Sequence, residues 1–318
     1  MSRRDLVVFN WDVTNEYDGK PLRQIMKDVF LMSNTMIKNV KLYGKLEVNG
    51  DHRRVIDTVK TGDSVFASYD DDAGDVKRSP EVPVLYEDQY IAVCVKPSDM
   101  VTHPTHGHLD DSLLTFLSER TLHPVMRLDR QTSGLIVIAK NGYIHDRMVR
   151  SPIEKKYIGI NYGTYTPEEG IIDMPIKRRE DSVMIRDCTT KDDPKGRDAV
   201  TRYKTILKLP EDDLSVVIYK LETGRCHQIR VHSLYSGHPL VGDGLYGPNS
   251  VDNPSSLFKD SKRLDASIGR QALHAMSLVF THPVTNEEMR FISNIPSDMR
   301  SLLGSSADAL DEILGDLK

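Results

Sequence analysis

Hydrophobic and polar positions in the first 70 residues follow two different periods. Apolar residues alternate over 7–13 as in a short strand, and a second strand segment over 44–50 ends in the hairpin signal Asn-Gly. Between them, apolar residues over 22–29 and 36–40 recur three or four positions apart, which is typical of amphipathic helices. Ser33 stands where it can cap the second helix. The pattern therefore predicts a small α+β unit near the N-terminus.

After this unit the pattern changes to strands with a few helices. Residues 69–83 are rich in aspartate, glycine and proline, which predicts a linker. Apolar runs over 90–95 and 135–139 predict buried strands, whereas 200–209 and 214–221 alternate as the two strands of a hairpin. The other predicted elements are helices over 112–120 (capped by Asp111) and 142–150, strands over 154–160 and 287–291, polar turn-rich segments over 164–198 and 248–268, and a helical acidic tail from Ser301.

These elements predict the α+β fold class and a chain in three parts. Residues 1–80 would form an N-terminal module with its linker, residues 81–300 a larger strand-rich domain, and residues 301–318 an acidic C-terminal helix. A chain of 318 residues is long enough to bury a sizeable core and to form two domains.

The composition excludes several classes of protein. No apolar stretch approaches the length of a membrane span, and the first residues lack the apolar region of a signal peptide, so we expect a cytoplasmic protein without a membrane partner. The three cysteines, Cys94, Cys188 and Cys226, lie too far apart for a disulfide framework or a zinc ribbon.

Charge is distributed unevenly along the chain. The net charge of −5 argues against a protein that coats nucleic acid generally. Residues 20–67, however, hold nine basic and five acidic residues, a local charge of +4. Such a helical pair with a small sheet can neutralise phosphates, or it can simply be a solvated surface.

Two short stretches concentrate polar side chains inside an apolar frame. The first runs from Arg127 to Ser133, includes Asp129 and Thr132, and directly precedes the apolar run 135–139. Such residues can form a polar turn in which they bond their own backbone. They can also be functional groups held at the mouth of a rigid strand.

The second polar stretch runs from Leu221 to His232. Polar side chains buried in such number are costly unless they pair with one another or with a substrate. Arg230 suits a closed pocket in which a carboxylate must stay ionised, and it can equally be a structural arginine at a helix start. Cys226 and His227 are sequence neighbours and are not expected to face each other, so a thiol nucleophile is not favoured.

A metal site is not predicted either. His103, His106 and His108, with Asp110 and Asp111, share a short loop without the helical or hairpin spacing that ligands usually have. We interpret them as a solvated loop.

The first polar stretch resembles the signature of the RluA-type family of RNA pseudouridine synthases, roughly H-R-L-D-x-x-T-S-G-L, then apolar residues and A-K. The chain follows this signature except at Met126, where the family usually has histidine. The second stretch resembles the family's L-x-T-G-R-x-H-Q-I-R-x-H, with Cys226 in place of the usual threonine. Lys155 and Tyr157 match the family's Lys-x-Tyr motif.

Residues 20–67 resemble the S4-like RNA-binding module, through Gly-Lys-Leu-Glu-Val-Asn-Gly and Gly-Asp-Ser-Val. Members of the RluA-type family often carry this module ahead of the catalytic domain. The two resemblances together imply a large mixed, mainly antiparallel sheet with a central cleft, plus a small N-terminal α+β S4-like domain.

The resemblance also implies a chemistry and a set of site residues. Asp129 would be the carboxylate that starts glycosidic cleavage of a flipped-out uridine, Arg230 its ionic partner, and Tyr157 the ring that packs on the uracil and assists removal of its C5 proton. The residues implied to bind the substrate are Arg127, Thr132, Lys155, Arg225, His227 and Gln228.

No cofactor or metal is expected for this isomerisation. The implied partner is RNA, with ribosomal RNA preferred over transfer RNA, and the chain is expected to act as a monomer without an obligatory protein partner. The main alternative is an RNA-binding or ribosome-assembly factor that has the same fold without turnover. A serine or cysteine hydrolase fits poorly, because Ser133 lacks the G-x-S-x-G frame.

Overall fold

The computed structural model describes residues 5–71, 76–105, 108 and 110–315. These residues form a four-stranded sheet, a ten-stranded sheet and a two-stranded ribbon. The mixture of helices with largely antiparallel sheets confirms the α+β prediction. Among the described helices, none has the length and apolar character needed to cross a bilayer.

The four-stranded sheet and two helices make up the N-terminal unit. Its elements are β1 (Asp5–Asp12), α1 (Leu22–Asp28), α2 (Asn34–Tyr43), β2 (Lys45–Val48), β3 (Asp51–His52) and β4 (Ser64–Asp71), with the antiparallel strand order β1-β4-β2-β3. The Ser33 hydroxyl accepts a hydrogen bond from the Met36 amide at 3.2 Å, which caps α2 as predicted. Asn49 and Gly50 both have positive φ, as the turn between β2 and β3 requires.

The ten-stranded sheet dominates the rest of the chain. Its strands and the neighbouring elements are β5 (Val84–Glu87), β6 (Ile91–Lys96), α3 (Leu113–Leu117), β7 (His123–Pro124), β8 (Ser133–Ala139), α4 (Gly142–Arg150), β9 (Ile153–Tyr162), β10 (Glu169–Asp173), β11 (Ile176–Arg178), β12 (Arg186–Cys188), β13 (Val200–Leu209), β14 (Leu214–Leu221), α5 (Gln228–Tyr235), α6 (Ser261–Ile268), β15 (Leu273–Thr281), β16 (Glu288–Ile292), α7 (Ser297–Leu303) and α8 (Ala307–Gly315).

The strand order is β10-β13-β14-β9-β15-β8-β6-β5, with β16 paired to β15 and β7 paired to β8. All these pairs are antiparallel except β8 with β15, so the predicted mixed, mainly antiparallel sheet is confirmed. β11 and β12 form the separate ribbon.

The parallel contact between β8 and β15 explains Gly134. This residue has φ +118°, and a Cβ there would lie 2.3 Å from the carbonyl oxygen of Ala275. Only glycine allows the two backbones to approach so closely. The polar residues 127–133 are therefore placed directly before a strand in the middle of the sheet, and every residue of that strand is buried.

The two faces of the sheet are covered differently. One face packs Leu128, Tyr157, Val217 and Tyr219 into a core beside α5. The other face carries the larger core under α6, α7 and α8. The N-terminal unit contacts α4, where the rings of Phe9 and Tyr143 pack edge to face with centroids 4.8 Å apart.

Helix α3 corrects one prediction. It begins at Leu113 and ends at Leu117, with Ser112 as the N-cap instead of Asp111. Ser112 occupies the N-cap position because its hydroxyl and that of Thr115 form a reciprocal capping box. The Asp111 carboxylate lies 2.7 Å from Nδ1 of His108. Of the other members of the histidine-rich loop, His106 lies outside the described residues.

Other segments contain more structure than predicted. The predicted loop over 248–268 contains α6, and the turn-rich segment over 164–198 contains β10, β11 and β12. The predicted linker begins inside β4, and Val76 and Val82 are buried, because they fill the core beneath α3. The predicted acidic tail contains two helices. The first, α7, begins before Ser301, and it ends where Gly304 has a positive φ of 52°.

Candidate active site

A narrow cleft opens on the α5 face of the sheet, where the end of β14, the start of α5, strand β9 and the residues before β8 meet. The side chains that line it are Arg127, Leu128, Asp129, Thr132, Tyr157, Leu221, Arg225, His227, Gln228, Ile229, Arg230 and Leu273. Eight of the nine predicted site residues are among them, and Lys155 is the ninth. The two polar stretches of the sequence therefore meet in one place.

Asp129 and Arg230 form the centre of the cleft. Nη1 of Arg230 lies 3.3 Å from Oδ2 of Asp129 and donates a hydrogen bond to it. The other two guanidinium nitrogens, Nε and Nη2, each donate to Asp243 at 2.7 Å. Asp243 is itself fixed by the amides of Leu245 and Tyr246, both at 3.0 Å. The arginine is therefore rigid, and one of its nitrogens is left to face Asp129.

Exposure differs between the members of this ionic group. The side chain of Asp243 is fully buried and that of Arg230 is 5% exposed, whereas Asp129 is 27% exposed. Burial acts to lower the pKa of Arg230, but the charge and hydrogen bonds of Asp243 and the charge of Asp129 outweigh it and raise the pKa. The ring of Tyr246 lies 5.1 Å from the guanidinium carbon and adds a cation–π contact. A permanent cation therefore stands beside the one carboxylate that solvent can reach.

Tyr157 lies in the same cleft, on β9. Its ring is buried, and burial together with the negative charge of Asp129 raises the pKa of its hydroxyl. The phenol therefore stays protonated at neutral pH.

His227 stands at the start of α5 with a left-handed backbone, φ 58°. Its Nδ1 lies 2.9 Å from the hydroxyl of Tyr246, and its Nε2 lies 3.9 Å from Oδ2 of Asp129. Burial lowers the pKa of the imidazole, although the charge of Asp129 opposes this shift. A left-handed conformation costs energy in a non-glycine residue, and here it directs the ring into the cleft.

The polar side-chain atoms of Gln228 and Thr132 form hydrogen bonds within the protein. Gln228 accepts from the hydroxyl of Thr223 and the amide of Arg225, and donates to the carbonyl oxygen of Val200 and the hydroxyl of Thr201. The hydroxyl of Thr132 accepts from the side chain of Gln271 at 3.1 Å. Both side chains therefore fix the shape of the cleft wall.

The basic side chains stand at the edge of the cleft. Arg127 is exposed, and Arg225 donates from Nε to the carbonyl oxygen of Asp198 at 2.9 Å. Lys155 shares its strand face with Tyr157, two residues earlier on β9, and partial burial lowers its pKa. Met126 packs against two apolar cores.

Known proteins resemble this chain over most of its length. The family model described as RNA pseudouridylate synthase matches residues 90–235. The Ribosomal large subunit pseudouridine synthase D of Vibrio cholerae is 35% identical over 297 residues, which cover 88% of this chain and 89% of that protein. The uncharacterized RNA pseudouridine synthase YjbO of Bacillus subtilis is 33% identical over 288 residues, 86% of this chain and 94% of that protein.

The chain belongs to the RNA pseudouridine synthase family. The isomerase class and the RluA-type resemblance are thereby confirmed. Among solved structures, Human RNA Pseudouridylate Synthase Domain Containing 4 superposes with a TM-score of 0.55 at 24% identity, over 69% of this chain and 91% of that one. That likeness supports the fold.

Two buried cations hold the Asp129 loop of this pseudouridine synthase, and the sequence reasoning missed both. Nζ of Lys96 donates to the carbonyl oxygen of Arg130 at 3.0 Å, as well as to those of Pro97 and Met100. Nη1 of Arg270 donates to the carbonyl oxygen of Gln131 at 3.2 Å. The loop backbone is therefore held from below by hydrogen bonds from two buried basic side chains.

Asp243 was also missed as a member of the site, although it lies only thirteen residues after Arg230. An aspartate followed by glycine and preceded by glycine indicates a turn. Its burial beside an arginine becomes visible only in the folded chain.

Ser133 and His274 form a pair that resembles part of a hydrolase dyad. The serine hydroxyl lies 2.9 Å from Nδ1 of the histidine, whose Nε2 lies 3.1 Å from the hydroxyl of Ser293. Both residues are buried outside the cleft, and burial lowers the pKa of His274 to about 3. The histidine stays neutral and the pair holds β8 beside β15.

A larger cavity, about 1080 Å³, lies on the opposite face of the sheet between β13, β14 and the C-terminal helices. Its charged side chains are paired, for example Lys220 with Glu154 and Arg300 with Asp311. At Asp129, by contrast, a carboxylate that solvent reaches stands beside a buried and fixed cation.

Proposed function

We propose that this chain converts uridine in ribosomal RNA to pseudouridine, with Asp129 as the catalytic carboxylate and without a cofactor. The observation that carries the proposal is the position of Asp129. It lies in the cleft 3.3 Å from a buried guanidinium that Asp243 holds in place. A fixed cation keeps a neighbouring carboxylate ionised, which a nucleophile or a general base requires.

The reaction exchanges one bond of the nucleoside for another. The bond between ribose C1′ and uracil N1 breaks, the base turns, a bond from C1′ to C5 forms, the C5 proton leaves, and N1 takes up a proton. Asp129 starts the cleavage as nucleophile or base, and the cleft holds the freed uracil in place. No electrons are gained or lost overall.

Tyr157 supports the second half of this reaction. Its buried ring offers a flat apolar surface on which the uracil packs, beside Asp129. In the proposed mechanism, its hydroxyl assists removal of the C5 proton. Gln228 and Thr132, which are bonded within the protein, shape the pocket around the base.

The basic residues at the mouth act on the RNA around the target. A uridine within a stack must be flipped out before Asp129 can reach it, at a cost of about a few kcal/mol. Arg127 is exposed two residues before Asp129 and would fill the space that the base leaves. Arg225 and Lys155 are placed to meet phosphates, and His227 to meet the flipped nucleotide.

Ribosomal RNA is the proposed target because relatives that match most of the chain are named as synthases of the large ribosomal subunit. A cytoplasmic monomer without an obligatory partner follows from the same proposal. The test is release of tritium from uridine C5. Ribosomal RNA of the source organism that lacks the modification should release tritium, and transfer RNA should release far less. Absence of release from both RNAs would favour the RNA-binding alternative.

We further propose that the N-terminal unit, residues 1–80, is the S4-like RNA-binding module. Lys38, Lys41 and Lys45 are exposed on α2 and the start of β2, around Tyr43, whose side chain is 79% exposed. Lysines neutralise phosphates, and an exposed aromatic ring stacks on unpaired bases. The elements carrying them lie in the unit that packs on α4.

The test replaces all three lysines by glutamine in the full-length chain. Binding to structured RNA should weaken, and the slope of log affinity against log salt should flatten by about 0.7 to 0.9 for each lost phosphate contact. Lys259 and Lys262, exposed near α6, provide the matched control when changed to glutamine. An unchanged slope in the triple variant would show that this surface does not touch RNA.

A further inference from the structure

Three potential metal ligands converge at the mouth of the cleft. A carboxylate oxygen of Asp129, Sγ of Cys226 and a ring nitrogen of His227 all lie within 4.8 Å of one another. Cys226 is the exposed member of the three, and the other two are partly buried. Although Cys226 and His227 are sequence neighbours, the left-handed backbone at His227 brings their ligand atoms together. The sequence reasoning did not foresee this.

The hydrogen bonds of His227 leave the correct nitrogen available. Nδ1 is engaged by the hydroxyl of Tyr246, which also accepts from the amide of Arg186 at 2.8 Å. Nε2 points to Asp129 across 3.9 Å. A metal-bound histidine usually donates its second ring N–H to a protein oxygen, which fixes the ring, and Tyr246 can accept that bond.

We propose that Asp129, Cys226 and His227 bind a zinc ion, and that the bound ion inhibits the enzyme reversibly. The inhibitory part rests on the proposed function, because it assumes that Asp129 is the catalytic carboxylate. The binding part stands on the geometry of the three side chains. A threonine at position 226, as in the family pattern, would not supply a thiolate.

The thiol sulfur and the ring nitrogen among the three ligands favour a soft metal ion. Thiolate and imidazole suit Zn²⁺, whereas Mg²⁺ requires oxygen ligands in octahedral geometry. Zinc bonds of about 2.0 to 2.3 Å in tetrahedral geometry place ligand atoms roughly 3.3 to 3.7 Å apart. The three ligand atoms here lie within 4.8 Å of one another, and rotation of the exposed Cys226 side chain can bring its sulfur closer to the other two. Water would complete the fourth position.

The charges also balance. Burial and the charge of Asp129 raise the pKa of the Cys226 thiol. Zinc binding releases the thiol proton to the buffer and forms a sulfur–zinc bond. The dication with one thiolate and one carboxylate is then neutral. Arg230, 3.3 Å from Asp129, consequently meets no net positive charge.

A bound zinc ion would coordinate the Asp129 carboxylate oxygen that the proposed reaction requires. With Asp129 coordinated, a flipped uridine cannot approach the carboxylate, so zinc and RNA compete for the free enzyme. Inhibition should therefore raise KM for RNA, and a chelator should reverse it.

Zinc binding is measured first without RNA, by competition between the full-length chain and a chromophoric chelator. The wild-type protein should bind one zinc ion tightly, and Cys226→Thr should bind at least about tenfold more weakly. Cys188→Ser is the matched control, since Cys188 lies on β12 outside this group and burial raises its pKa to about 12. Equal zinc affinity in wild type and Cys226→Thr would overturn the proposal.

Inhibition is measured next in the tritium-release assay. Zinc should raise KM in the wild type and in Cys188→Ser, with no such rise in Cys226→Thr or with magnesium in place of zinc. Zinc binding that depends on Cys226 in a chain without activity would refute the proposed function and leave the metal site standing. An active chain that binds no zinc would refute the metal site alone.

Discussion

Arg230 and Arg270 are both buried, and each donates Nε and Nη2 to a single aspartate. Arg230 holds Asp243 at 2.7 Å through both nitrogens, and Arg270 holds Asp298 at 2.6 and 2.9 Å. They differ in the remaining nitrogen, Nη1. That of Arg230 faces the carboxylate of Asp129, whereas that of Arg270 donates to three backbone carbonyls, including Gln131.

The comparison teaches how one ionic clamp serves two regions. In the cleft, Asp243 fixes Arg230 so that Nη1 is left to donate to Asp129, which solvent reaches. Beneath the loop, Asp298 fixes Arg270 so that Nη1 supports the backbone that carries Asp129. The same ionic pair therefore positions a side chain in one region and a backbone in the other.

Replacing Asp129, the carboxylate that Arg230 faces, should have the largest effect on activity. Asp129→Asn keeps the size and most hydrogen bonds of the side chain but can neither attack nor accept a proton, so tritium release should fall by at least about a thousandfold. RNA affinity and thermal stability should stay near wild type. Asp99→Asn, in which the exposed partner of Arg130 loses the same charge, is the control. Residual activity of more than a few per cent in Asp129→Asn would assign the chemistry elsewhere.

Removing the cleft arginine should cost both activity and stability. Arg230→Met leaves Asp243 buried without a cation, which should lower the free energy of unfolding by about 3 to 5 kcal/mol and activity by about a hundredfold or more. Adding Asp243→Asn removes the stranded charge, so the double variant should regain part of the stability without regaining turnover. If turnover returned together with stability, Arg230 would be merely structural.

Replacing Arg270 should distinguish the effect of the loop support from the effect of the cleft arginine. Arg270→Met frees three carbonyl oxygens, but Asp298 is 35% exposed and can be hydrated, so the loss of stability should be smaller, about 2 to 3 kcal/mol. Activity per folded molecule should fall by less than about tenfold, because Asp129 and Arg230 remain paired. Denaturant titration and tritium release on the same preparation measure both. A loss of activity as large as that of Arg230→Met would erase the distinction.

The sequence predicted the residues that line the cleft better than the buried residues that support its loop. The strands predicted over 200–209 and 214–221 have the observed bounds, because both runs are rich in β-forming residues and the segment 210–213 supplies the turn between them. Asp129 and Arg230, 101 residues apart, were paired through resemblance to a family, since no local pattern links them. The site roles assigned in this way stay predictions until the variants are measured.

What the patterns missed has physical causes. A lysine that ends a strand, such as Lys96, looks solvated in sequence, and its acceptor at Arg130 lies 34 residues away. Arg270 meets Gln131 across 139 residues. Helix α6 was predicted to be loop because its eight residues lie among polar and turn-forming neighbours, and Leu264 is buried only through tertiary contact. The S4 likeness rests on resemblance and the domain boundaries on composition, and both stay predictions.

Lys96 extends the comparison to a buried amine without a carboxylate clamp, and we expect its replacement to appear in the pH dependence of stability. Burial lowers its pKa to about 7, although Asp129 opposes the shift. Above that pH the unfolded chain holds a proton on this lysine that the folded chain has released. The stability of the wild type should therefore rise with pH relative to Lys96→Met, by at most about 1.4 kcal/mol per pH unit, between about pH 7 and the ordinary lysine pKa. Denaturant titrations of both proteins across that range give a difference curve in which shared groups cancel. Parallel curves would mean that the three carbonyl oxygens keep Lys96 charged throughout, so that it supports the loop as Arg270 does.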